Sequence, residues 1–146
     1  MYYLLFALSQ NKVEFDILFG SYENDHYTKT FKAEERHWVL KNSVLSYSID
    51  ANNTTYLDTI TLSDSSINRI INQINKTKIN PLISKKLKSD IFEKEGWKLI
   101  IKGNIAYKNE KYQFSISANS PLLLEDDSDT KQIKALETLL YQLIEE

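Results

Sequence analysis

The stretch LLLEDDSDTKQ, Leu122 to Gln132, places Glu125, Asp126, Asp127 and Asp129 within five positions. Carboxylates at that density can ligate a hard cation, open a helix, or meet a basic partner. A calcium loop needs a glycine at its sharp turn and a bidentate Glu at its twelfth position. EDDSDTKQIKAL has no glycine, and its twelfth residue is Leu136. No metal site is expected here. Helix initiation explains more: Asp129 with Gln132 three residues on fits an N-cap and its reciprocal partner, worth about 1 kcal/mol. One carboxylate suffices for that. Glu125, Asp126 and Asp127 are left over as candidates for contact with a partner.

Other chemistry is thinly supplied. The chain has no cysteine, two histidines (His26 and His37) and three glycines. Disulfides, thiolate metal sites and cysteine nucleophiles are thereby excluded. There is no Gly-x-Ser-x-Gly elbow, no P-loop and no Gly-x-Gly-x-x-Gly. His26 falls in a polar stretch and His37 beside Trp38, each without an evident catalytic partner. No catalytic residue, cofactor site or metal site is assigned. The stretch SYENDHY mixes Tyr22 and Tyr27 with Glu23 and Asp25. Tyrosine is enriched where interfaces carry their energy, so these four join the candidate contact residues. The competing reading folds both tyrosines back onto a sheet.

Charge is unevenly spread. Residues 69–111 carry eleven Lys and Arg against four Asp and Glu, whereas residues 112–146 carry two against seven. Lys76, Lys78, Lys85, Lys86 and Lys88 form the basic cluster, with sixteen Lys to two Arg in the whole chain. Lysine attracts phosphate without reading sequence. With no Arg and no interleaved aromatic in the cluster, it reads as the solvated back of a helix pair; nucleic-acid binding is the alternative.

These residues need elements to position them. YYLLFAL and VEFDILF read as two strands joined at Ser9 to Lys12, followed by a polar loop from Gly20 to Tyr27. A first strand explains Tyr2 to Leu8 better than a signal peptide, because a basic leading region is missing. TKTFK and HWVLK suggest a hairpin around Ala33 to Arg36, or a short helix. VLSYSID and TTYLDTITL flank ANN, whose asparagines suit a turn. Ile67, Ile70, Ile71 and Ile74 then mark one face of a helix capped by Ser63. Asn80-Pro81 suggests the start of a second helix through Ile83, Leu87 and Ile91, ended by Gly96. WKLIIKGNIAY and YQFSISA return to strands, with a turn at Lys108 to Lys111 and a bulge at Gly103. A last helix from about Thr130 bears Ile133, Leu136, Leu140 and Leu143.

The expectation is one domain, residues 1–146, of α+β class: a mainly antiparallel β-sheet, with an N-terminal meander and a later hairpin, packed by about three helices. No stretch is long and apolar enough for a membrane span, which suggests a soluble, cytoplasmic protein. Codon-biased Lys, Ile and Asn usage hints at a low-GC bacterium or its phage. The sparse catalytic groups point to a non-enzymatic protein-binding inhibitor. Its model is a bacterial immunity protein plugging the basic cleft of a toxin such as a nuclease, or a phage anti-defence inhibitor. Nucleic-acid binding and an enzyme with a dispersed site are the alternatives.

Overall fold

The computed structural model describes residues 12–25, 27–77, 79–88 and 97–146. Within them the strands are β1 (Val13–Asp25), β2 (Thr30–Lys41), β3 (Val44–Ala51), β4 (Thr54–Thr61), β5 (Leu82–Leu87), β6 (Trp97–Tyr107) and β7 (Glu110–Ala118). The helices are α1 (Asp64–Thr77), α2 (Pro121–Asp126) and α3 (Ser128–Glu145). The strands form one sheet in the order β4-β3-β2-β1-β6-β7-β5. Every pairing is antiparallel except β5 with β7. The α+β expectation holds.

Period-two alternation sends one set of side chains to a single face. Val13, Phe15, Ile17 and Phe19 of β1 are buried there with Trp38, Leu40, Leu45, Tyr47, Ile101, Ile105, Phe114 and Ile116. The helices cover that face. Ile70, Ile71 and Ile74 of α1 and Ile133, Leu136, Leu140 and Leu143 of α3 complete the core. Ser63 caps α1 as expected, its Oγ accepting from the Ser66 N–H at 3.2 Å.

Three turns link neighbouring strands with two residues each. Asn42 and Ser43, Asn52 and Asn53, and Lys108 and Asn109 all have positive φ. That is the hairpin geometry whose twist matches the strands it joins, and asparagine tolerates it best.

Several expectations are corrected. Gly20 to Asp25 is not loop but the continuation of β1. Its backbone pairs with β2 on one side and, as far as Glu23, with β6 on the other, so tertiary pairing overrides a polar composition. TKTFK and HWVLK are not a hairpin or helix but one strand, β2. The second helix is replaced by β5: Ile83 and Leu87 lie four apart, and that spacing shares a face in a strand as well as in a helix. Ile91 and Gly96 lie outside the described residues, as does Tyr2 to Leu8. Gly103 is no bulge, since the ladder runs through it without interruption on both sides. Glycine stands there because a Cβ would fall 2.2 Å from the Asp16 carbonyl oxygen.

A buried polar network docks α3 on the sheet. The Glu137 carboxylate accepts from Trp38 Nε1 at 2.7 Å, from Arg36 Nε at 3.2 Å and from Arg36 Nη2 at 2.9 Å. Burial disfavours the Arg36 charge, but Glu137 more than offsets it and holds the pKa above its ordinary value. Trp38 stacks on Tyr47 at 4.1 Å and meets Tyr141 edge-on at 4.9 Å. The Tyr47 and Tyr141 hydroxyls are 2.9 Å apart.

Glu137→Ala leaves the buried Trp38 N–H without its acceptor and takes the closer carboxylate from the half-buried Arg36, so urea unfolding should show a loss of about 3 kcal/mol. Gly103→Ala should cost about 2–3 kcal/mol, because the obstacle is backbone that cannot turn aside. A loss under about 0.5 kcal/mol for either would contradict these roles.

Candidate functional site

The face of the sheet opposite α1 and α3 carries the even-numbered side chains of β1, β5 and β6 and the odd-numbered ones of β2, β4 and β7. A cavity of ≈ 730 Å³ lies across it, lined among others by Asp16, Leu18, Glu35, His37, Lys102 and Gln113. A second of ≈ 510 Å³ shares Lys102 and Ser115 with the first and adds Lys86, Lys88, Lys98 and Ser117.

The face is therefore electrically divided. Asp16 of β1, Glu35 of β2 and Asp50 of β3 make one half acidic, with Glu14 paired to Lys12 at 3.0 Å, while Lys86 of β5, Lys88 just past its end, and Lys98 and Lys102 of β6 make the other basic. His37 is not unpaired, contrary to the sequence reading: its Nε2 lies 2.5 Å from Asp16 Oδ1 across the β1–β2 pair. Ser48 of β3 stands opposite His37 in the ladder. The Asp16 and His37 side chains are 55% and 41% exposed, so water screens the pair.

The expected contact residues are redistributed. Glu125 and Asp126 are exposed at the end of α2. Asp127 is committed internally, and it caps α3 in place of Asp129. Its Oδ2 accepts from the Thr130 N–H at 2.9 Å and the Thr130 hydroxyl at 2.8 Å. Lys85 Nζ bridges Asp127 and Asp129, 2.6 Å from each, and these carboxylates are only 11% and 15% exposed. Asp129 also accepts from Asn80 Nδ2 at 3.0 Å. The dense acidic run is thus half structural, joining β5 to the start of α3.

Tyr22 folds back on the sheet, as one reading of its stretch allowed. Its ring lies over Gly20, where a Cβ would be 2.8 Å from the Tyr22 hydroxyl. Burial and then Glu35 push the Tyr22 pKa up. Glu23 is half-buried and has a partner, and Tyr27 is 99% exposed. Asp25 ends β1; its side chain and His26 lie outside the described residues. The register sets Glu23 opposite Trp97 and Leu99 opposite Ala118, three residues before α2. The Tyr22–Tyr27 and Glu125–Asp126 segments thus lie toward the same end of the sheet, on different elements.

Lys86 and Lys88 were anticipated as part of a basic cluster, but on a helix. Lys98, Lys102, Asp16 and Glu35 were missed. The available signal was the wet phase of the alternating strands, where charged residues recur at every second position.

The sequence matches no protein-family model and no curated protein. Among the described residues, no group of three or more His, Asp or Glu is placed to hold a metal ion. No helix among them is long and apolar enough to cross a membrane.

The cap makes a pH prediction. Burial alone would raise the Asp127 pKa, but hydrogen bonds from Lys85 and Thr130 outweigh it and lower the pKa below its ordinary 3.8. A depressed folded value means stability that is complete above the ordinary pKa and is lost as pH falls through the folded one. Asp127→Asn should therefore lose stability at neutral pH and show a shallower decline below about pH 4. Asp127→Ala should cost about 2 kcal/mol, more than Asp129→Ala, because it removes the cap as well as an ion-pair partner. The reverse order in thermal melts would restore Asp129 as the cap.

Proposed function

We propose that the protein is a non-enzymatic inhibitor that acts by occupying another protein. A bacterial immunity protein bound to its toxin, or a phage protein bound to a host defence factor, would act this way in the cytoplasm. One observation supports this reading above others: a broad sheet face of divided charge, built on strands whose backs are clamped to α3. A preorganised face keeps down the entropy lost on association. Its acidic half, centred on Asp16 and Glu35, complements a partner with a basic cleft, such as a nuclease.

This moves the proposed contact surface. Asp127 and Asp129 are largely buried and neutralised by Lys85, so they contribute little beyond shape, whereas Asp16 stays more than half exposed beside His37. Glu125 and Asp126, with the exposed ring of Tyr27, remain as secondary contacts toward the end of the sheet.

A second reading rests on the Asp16–His37 pair. A histidine oriented by a carboxylate is the core of many general bases, and Ser48 faces it across the ladder. No hydrogen bond joins Ser48 to His37 among those found in the described residues, and a water-exposed pair gains little from local electrostatics. Occupancy is therefore preferred.

The test is affinity capture from the native cell, then association kinetics of purified components at several salt concentrations. Asp16→Asn with Glu35→Gln should slow association about tenfold at low salt and lose much of its salt dependence. Glu125→Gln with Asp126→Asn should slow it less. An ester or phosphoester hydrolase activity abolished by His37→Ala would replace this reading with the enzymatic one.

A further inference from the structure

We infer that the basic cavity is a binding site for a small phosphate-bearing molecule of nucleotide size. The inference stands independently of the inhibitor reading. Lys86 reaches the cavity from β5, Lys88 from the residue just past its end, and Lys98 and Lys102 from β6. Between them β7 contributes the Ser115 and Ser117 side chains, with Asn119 beyond its end. Among the described residues, no Asp or Glu lines the space. Lys85, the immediate neighbour of Lys86, points to the helix side and is neutralised by two aspartates. None of the four cavity lysines has an ion pair among the described residues.

Two plainer explanations account for only part of this. Lysines on a terminal strand guard a sheet edge against unwanted pairing, and β5 is terminal among the described strands. That covers Lys86 and Lys88. It does not cover Lys98 and Lys102, because β6 is interior, paired with β1 and β7. Simple solvation of an exposed face also fails to explain why four like charges are gathered around one cavity, from the two strands that flank β7, where they repel one another. An anion relieves that repulsion.

The shape and lining narrow its class. A volume of ≈ 510 Å³ falls in the range of small-molecule sites, about 300–1,000 Å³. Leu87, Ile100 and Ala118 supply apolar surface, so the ligand has an uncharged part as well as anionic groups. Four ammonium groups call for several negative charges in little space. Phosphate groups provide that, at about −1.5 to −2 for each terminal group near neutral pH. Lys98 and Lys102 are four residues apart, roughly 13 Å along the strand, which suits a chain of phosphates better than one. A long nucleic-acid strand is disfavoured by the adjoining cavity, where Asp16 and Glu35 would repel its continuing backbone. Among the described residues, the cavity has no Arg or aromatic side chain to read bases.

The test is calorimetric titration of the purified full chain with ATP, AMP, adenosine, an oligo-dT single strand and a poly-Glu peptide. ATP should bind more tightly than AMP, and adenosine should give no heat. Lys98→Gln and Lys102→Gln should each weaken ATP binding about tenfold while melting like the parent. Lys111→Gln provides the control, since it carries the same charge change at the far end of β7 and does not line the cavity. Four outcomes would overturn the inference: no heat with ATP, binding of the oligonucleotide or peptide alone, equal weakening by Lys111→Gln, or ATP binding indifferent to the two lysines.

Discussion

The carboxylate of Glu137 decides which face of the sheet α3 covers. It enters the core on the apolar side of α3, between Ile133 and Leu140, and meets the two donors that β2 sends to that side. A buried charge with this many hydrogen bonds tolerates few alternative dockings, because any shift of the helix leaves Arg36 or Trp38 unsatisfied. The aromatic group of Trp38, Tyr47 and Tyr141 fills the space beside it, and burial together with Tyr141 pushes the Tyr47 pKa up. Once α3 and α1 are seated on that side, the opposite face keeps its charged residues in water.

A second ionic contact sorts the remaining charges. Lys85 takes up Asp127 and Asp129 and fixes the start of α3 to β5. Burial lowers the Lys85 pKa, but the hydrogen bonds it donates to both aspartates raise it to a net value above the ordinary 10.5. Its contribution to stability is therefore complete below that value and is lost as pH rises through the folded pKa. The lysine-rich segment and the acid-rich segment, which dominate the charge profile of the chain, thus partly cancel each other inside the molecule. What remains for a partner is smaller and differently placed: Asp16 and Glu35 on one half of the open face, and Lys86, Lys88, Lys98 and Lys102 on the other.

Much of the fold was legible because period two and period 3.6 are distinct where the pattern is long. Phe15 and Ile17, Phe114 and Ile116, and Ile67 to Ile74 declare themselves. Ile83 and Leu87 did not, since a spacing of four is common to both periods. Gly20 to Asp25 did not either, because that segment is held as strand by its neighbours and not by its own composition. The site was less legible still. Whether Asp127 or Asp129 caps a helix depends on which carboxylate meets the free N–H groups, and both match the pattern. That Asp16 reaches His37, or Lys98 approaches Lys86, follows from strand order. Strand order is set by pairings between residues far apart in the chain.

The central claim is that the sheet face opposite α1 and α3, and not the acidic run, is the proposed working surface. Carboxyl footprinting tests it directly. Purified protein, alone and with a captured partner, is labelled with a carbodiimide and the modified residues are read by mass spectrometry. Asp16 and Glu35 should lose reactivity on complex formation while Glu125 and Asp126 keep most of theirs. Protection of Glu125 and Asp126 with Asp16 and Glu35 unchanged would contradict the account.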